Sequence, residues 1–114
     1  MSKPQDEYLE KVIRICATFL ERWKDSNAIM WELTASHKSL RVVLTRGEEG
    51  DGNLLLSCLD PRRVRGPVRW QHSNLSVSRA SLDASDEGFV VRDSGADVEI
   101  LCGGIEVKEN VKLY

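Results

Sequence analysis

The stretch from Gln5 to Lys24, QDEYLEKVIRICATFLERWK, decides the fold class. Its apolar residues Tyr8, Leu9, Val12, Ile13, Cys16, Phe19, Leu20 and Trp23 recur at three- and four-residue spacing, which gathers them on one face of a helix. Ser2 and Gln5 have the spacing of a capping box, and Pro4 suits a first helical turn. Asp6 and Glu7 favour the positive end of the helix dipole. Glu7 with Lys11, and Glu10 with Arg14, set acid before base four residues apart, each pair contributing about 0.3 kcal/mol. The helical pattern runs out near Asp25 to Asn27.

Beyond Asn27 the hydrophobic period shortens from about 3.6 to 2, the spacing of strands. Ile29, Trp31 and Leu33 alternate with Met30, Glu32 and Thr34, and after a break from Ala35 to Ser39 the run Leu40, Val42, Leu44 alternates again, which predicts a hairpin. Leu54 to Leu59 is apolar at positions that fall on both faces, so it is expected to be a central strand. Weaker strands are expected at Val68 to Trp70, Leu75 to Arg79 and Phe89 to Arg92, with Gly66-Pro67, Asp86-Glu87-Gly88 and Asp93-Ser94-Gly95 as turns. Val98, Ile100 and Cys102 share a face, and Gly103-Gly104 predicts a tight final hairpin that pairs Cys102 with Ile105 and Glu99 with Lys108.

The pattern predicts an α+β fold: one N-terminal amphipathic helix packed on a mostly antiparallel, strongly bent sheet, a meander of about seven or eight strands. A two-layer sandwich and a partly closed barrel fit the same pattern. The whole chain, residues 1–114, is expected to be a single domain, because it contains no repeat, low-complexity tract or long linker. Arg46 to Asn53 and Asp60 to Pro67 read as loops.

An apolar fraction of 41%, a charged fraction of 30% and a net charge of −2 point to an ordinary globular chain and away from a histone-like polycation or an acidic tail. No stretch approaches the roughly 20 apolar residues of a spanning helix, and Asp6, Glu7, Glu10 and Arg14 break up any leader-like segment. No membrane partner is expected, and a cytoplasmic location follows by elimination.

Residue types that carry chemistry are scattered. Cys16, Cys58 and Cys102 lie in apolar surroundings and far outside C-x-x-C spacing, so they read as buried hydrophobes. His37 and His72 lack metal-ligand spacing and read as surface residues. The glycine-rich run Gly47 to Gly52 carries Glu48, Glu49 and Asp51, which would repel a phosphate, and it precedes a strand instead of a helix. No catalytic residue, cofactor or metal is expected.

Charge placement is the uneven feature. Residues 61–80 hold Arg62, Arg63, Arg65, Arg69 and Arg79 with no acid, whereas residues 81–110 hold eight acids against Arg92 and Lys108. Arg62, Arg63, Arg65, Arg69 and Trp70 are therefore the candidate contact residues. Arginine beside tryptophan suits a protein interface and also grips single-stranded nucleic acid by phosphate contacts and base stacking. A plainer reading pairs these arginines with Asp83, Asp86, Asp93, Asp97 and Glu99, and buries Trp70 like Trp23 and Trp31. The leading expectation is a non-enzymatic protein-interaction module that binds another protein or a second copy. Single-stranded nucleic-acid binding through Arg62 to Trp70, and a small-ligand pocket between helix and sheet, are the alternatives.

Overall fold

The structure is a computed structural model that describes residues 3–34, 39–46 and 52–111, with backbone alone at 3–5, 31–34 and 110–111. The elements are α1 (Lys3–Arg22), β1 (Asn27–Thr34), β2 (Ser39–Thr45), β3 (Asn53–Arg65), β4 (Arg69–Trp70), β5 (Ser76–Ser81), β6 (Glu87–Asp93) and β7 (Val98–Val111). The seven strands form one antiparallel sheet in the order β4-β1-β2-β3-β7-β6-β5, with α1 packed on β5 and β7. The expected α+β class and bent meander are what the chain adopts, and the sheet does not close into a barrel.

The bend follows from connectivity. β4 and β5 are the opposite edges of the sheet, yet only Gln71 to Leu75 separates them in sequence. Six Cα steps reach about 21 Å at full stretch, while seven flat strands would span about 29 Å. The sheet must therefore curl until its edges approach. Inside the curl Leu40, Val42 and Leu44 of β2, Leu54, Leu56 and Cys58 of β3, Phe89 and Val91 of β6, and Ile100 and Cys102 of β7 form the core. Leu9, Cys16 and Leu20 of the helix and Trp23 just after it join the core, with Val12, Ile13 and Phe19 half-buried beside them. Tyr8 departs from the expected apolar face and is 59% exposed. Trp31's side chain, Ser2, His37 and the Gly47-to-Asp51 run fall outside the described residues.

β3 is the middle strand, as its two-sided apolar pattern predicts, but it runs on through Asp60 to Arg65, where a loop was expected. β2 pairs with it as far as Ser39↔Leu59, whereas β7 continues to pair with it through Arg65↔Glu99. Pro61 is tolerated because, among the described residues, only β7 flanks this part of β3, so one side of the strand needs no N–H donor.

The expected hairpin at Gly103-Gly104 does not form. β7 is one continuous strand in which Cys102 pairs with Phe89 and Pro61, Ile105 with Cys58, and Glu99 with Arg92 and Arg65. Neither glycine has a positive φ. The long edge of β3 offers more pairing than a tight turn would. The two glycines instead mark a change of face: the inward residues are even-numbered up to Cys102 and odd-numbered from Ile105. Removing two consecutive side chains lets the strand turn this corner without crowding. Asp86-Glu87-Gly88 is corrected in the same way. The turn lies one step earlier, where the Asp83 carboxylate accepts from the Ser85 and Asp86 N–H groups at 2.9 Å each, and Gly88 belongs to β6. A Cβ at Gly88 would run into the Cys102 carbonyl oxygen and sit 3.2 Å from Gly103 Cα.

Polar contacts fix the helix at both ends. Near its start Asp6, Glu10 and Glu87 converge on Arg79 of β5, with Asp6 Oδ1 at 2.9 Å and Glu10 Oε1 at 3.7 Å. At its end Glu109 of β7 accepts from Arg22 Nη2 and from Trp23 Nε1, each at 2.7 Å. Arg46 lies over the Trp23 ring, 4.8 Å from its centroid, and donates to the Arg22 carbonyl, satisfying a helix C-terminal acceptor.

Gly88→Ala should lower stability by about 1–3 kcal/mol in urea unfolding. Gly95→Ala, whose Cβ would meet only Asp93 Oδ1 at 3.6 Å, should change it little. The hydrogen bonds from Arg22 and then Trp23 hold the Glu109 carboxyl below its ordinary value of 4.5. A depressed carboxyl stabilises the fold above that value and loses the contribution as pH falls through the folded-state value. Glu109→Gln should therefore lower the melting temperature at neutral pH, and its difference from the parent should shrink below about pH 4.5.

Candidate interaction surface

The five residues singled out by charge and aromatic content separate into three groups. Arg62 is held by its own strand, with Asp60 Oδ2 at 3.1 Å from Nε and 3.0 Å from Nη2, and this carboxylate raises the guanidinium pKa. Arg65 pairs with Asp97 at 3.2 Å and reaches Glu99 at 4.0 Å, and Glu99 also binds Arg92. Arg63 and Arg69 have no ion-pair partner among the described residues. Of the acids named as neutralisers, Asp97 and Glu99 take that role, while Asp83 closes its own turn.

Trp70 belongs to the interior. It pairs with Ala28 across β4 and β1, is 9% exposed, and donates from Nε1 to Asp93 Oδ2 at 2.9 Å. The same oxygen accepts from the Asn74 N–H at 2.8 Å. Asp93 is itself buried and ends β6, so the bond reaches from the edge strand β4 to the strand next to the opposite edge. Beside it, Ser73 exchanges backbone bonds with the helix–β1 junction, donating to Ser26 and accepting from Asp25 at 3.0 and 2.7 Å. His72 is exposed, with Nδ1 2.8 Å from Asp25 Oδ1. An indole engaged in this way has no free face for stacking a base.

Sequence reasoning passed over Val64 and Val68. Residues 62–69 are all exposed, and within them Val64 is 41% and Val68 62% exposed. Their alternation with arginine in RRVRGPVR was the available signal, since valine in a solvated loop has no local reason to be there. Gly66 takes a φ of 132° and brings the β3–β4 turn against Val98, whose Cγ2 a Cβ would approach to 2.8 Å. The two valines, and the two arginines without an ion-pair partner among the described residues, thus stand on an exposed arm tied to β7 at one end and to β1 at the other.

Two further features bear on chemistry. A groove of about 440 Å³ runs between α1 and β7, past Val12, Ile15, Ile105 and Val107. Its walls are apolar, with Glu106 and Lys108 at its rim. The three cysteines, distant in sequence, meet in the core. Burial, reinforced by Cys102, pushes the Cys16 thiol up to about 11, and a hydrogen bond with Cys102 together with burial pushes Cys58 well above its ordinary range. Both thiols are therefore protonated at neutral pH and serve as packing groups.

Among the described residues no helix is long and apolar enough to cross a membrane, and no three His, Cys, Asp or Glu side chains are placed to share a metal ion. No protein family, curated protein or solved structure matches the chain.

Trp70→Phe strands a buried carboxylate with one donor fewer, so it should cost about 1–3 kcal/mol. Arg62→Ala and Arg65→Ala, which remove exposed pairs, should each stay within about 1 kcal/mol of the parent in the same denaturation experiment.

Proposed function

We propose that the protein is a non-enzymatic interaction module whose docking element is the arm from Arg62 to Arg69. The observation that carries this reading is the exposed pair Val64 and Val68, set between guanidinium groups that have no acidic partner among the described residues. Valine side chains gain when a partner removes them from water, by roughly 25 cal/mol for each Å² covered. Arg63 and Arg69, without an ion-pair partner among the described residues, select for a partner that brings carboxylates to the rim. Beyond Leu59 the side of β3 turned away from β7 meets no other strand among the described residues, so an extended segment can add to the sheet there. The partner is thus an acidic, extended protein segment. A cytoplasmic setting is in keeping with three buried cysteines that remain thiols.

The test is affinity capture and light scattering with the full chain and with Arg63→Glu combined with Val68→Asp. Both positions are exposed, so melting should be unchanged while capture of the specific partner, or self-association, drops at least about tenfold. Undiminished capture by the folded variant would remove the arm from the reading. Binding of mixed oligonucleotides that weakens steeply with salt would replace a protein partner with nucleic acid.

A further inference from the structure

We infer that the outer face of β2, β1 and β4 holds a site for a small organic carboxylate. A pocket of about 430 Å³ opens there, within the usual size range of ligand sites. Strand register explains its lining. Asn27 pairs with Thr45, Ile29 with Val43 on one side and Arg69 on the other, and Ala28 with Trp70. Continuing that register by one residue sets Gln71 opposite Asn27. Alternation sends Ala28 and Trp70 into the core and leaves two rows on the outer face. One row is polar, Thr45-Asn27-Gln71, and the other runs from Val43 through Ile29 to Arg69.

Each row asks something of a ligand. Arg69 has no ion-pair partner among the described residues, and its planar fork matches a carboxylate with two parallel hydrogen bonds. The amides of Asn27 and Gln71 each offer a donor and an acceptor, the complement of a ligand amide or hydroxyl. Ile29, half-buried next to buried Val43, supplies an apolar wall. The floor is rigid, because Trp70 behind it is fixed by Asp93. The ligand class that answers all three is a carboxylate carrying a neighbouring amide and an apolar group, as in N-acyl amino acids. This site shares Arg69 with the proposed docking arm, but Arg63 and Val68 do not line it, so the two can be tested by different substitutions.

The experiment is a titration of the full ¹⁵N-labelled chain followed by NMR. The probes are N-acetyl-phenylalanine, its uncharged carboxamide and inorganic phosphate. N-acetyl-phenylalanine should shift the Trp70 indole and the Asn27 and Gln71 side-chain amide signals saturably, with a dissociation constant in the millimolar range or below. The carboxamide should bind at least about tenfold more weakly, having lost a charge-assisted bond. Arg69→Gln should abolish the shifts while keeping a folded spectrum, and Arg62→Gln should bind like the parent. No saturable shift, equal binding of the carboxamide, undiminished binding by Arg69→Gln, or tighter binding of phosphate would each overturn the assignment. Arg63→Glu with Val68→Asp should leave it intact, so failure of the docking arm and failure of this site are separately visible.

Discussion

One buried carboxylate holds the seam of the curled sheet. Asp93 takes hydrogen bonds from the Trp70 indole and the Asn74 backbone, joining β6 to the short strand that forms the opposite edge. A buried polar group is costly unless it is well bonded, which makes the arrangement selective. A packing that separated β4 from β6 would take the indole N–H and the carboxylate from each other. The connector from Gln71 to Leu75 keeps the edges within reach, and the bonds of Ser73 to the helix–β1 junction set its height. Trp70 then fills the space that a sheet without ladder closure leaves at its seam.

Around that seam, the polar residues follow the same logic of joining distant segments. Arg79 gathers acids from α1 and β6, Glu109 gathers donors from the last turn of α1, and Arg46 reaches the helix from the end of β2. These exposed contacts are individually weak. They position a helix whose apolar residues supply most of the attraction. Of the basic middle, Arg65 and Arg79 are matched by acids of the final third and Arg62 by Asp60, which makes Arg63 and Arg69, without an ion-pair partner among the described residues, conspicuous.

The helix and most strands were legible because their residues repeat with the period of the element, and period is local. What escaped was set by partners far away in sequence. Gly103-Gly104 has the composition of a tight turn, and only the presence of β3 alongside shows why the chain runs straight on. Asp60-Pro61 has the composition of a loop, and only the single-sided pairing there shows why a proline fits. The arginine cluster was legible as a charge excess, but its division into paired and unpaired members needed Asp60, Asp97 and Glu99 in place. Asp93, read as part of a turn, carries no sequence mark of burial. The outer-face pocket had none either, since Asn27, Arg69 and Gln71 become neighbours only through the pairing of β4 with β1.

That pairing pattern also has a kinetic side. β1-β2-β3 and β5-β6-β7 are each built from successive hairpins, which close over short stretches of chain and form quickly. The ladder between β3 and β7 is different, because it joins residues as far apart as Asn53 and Val111. Loop-closure entropy is spent before that contact returns anything. The long-range part of the fold is therefore concentrated in one ladder, where the two three-stranded halves meet in register along β3 and β7.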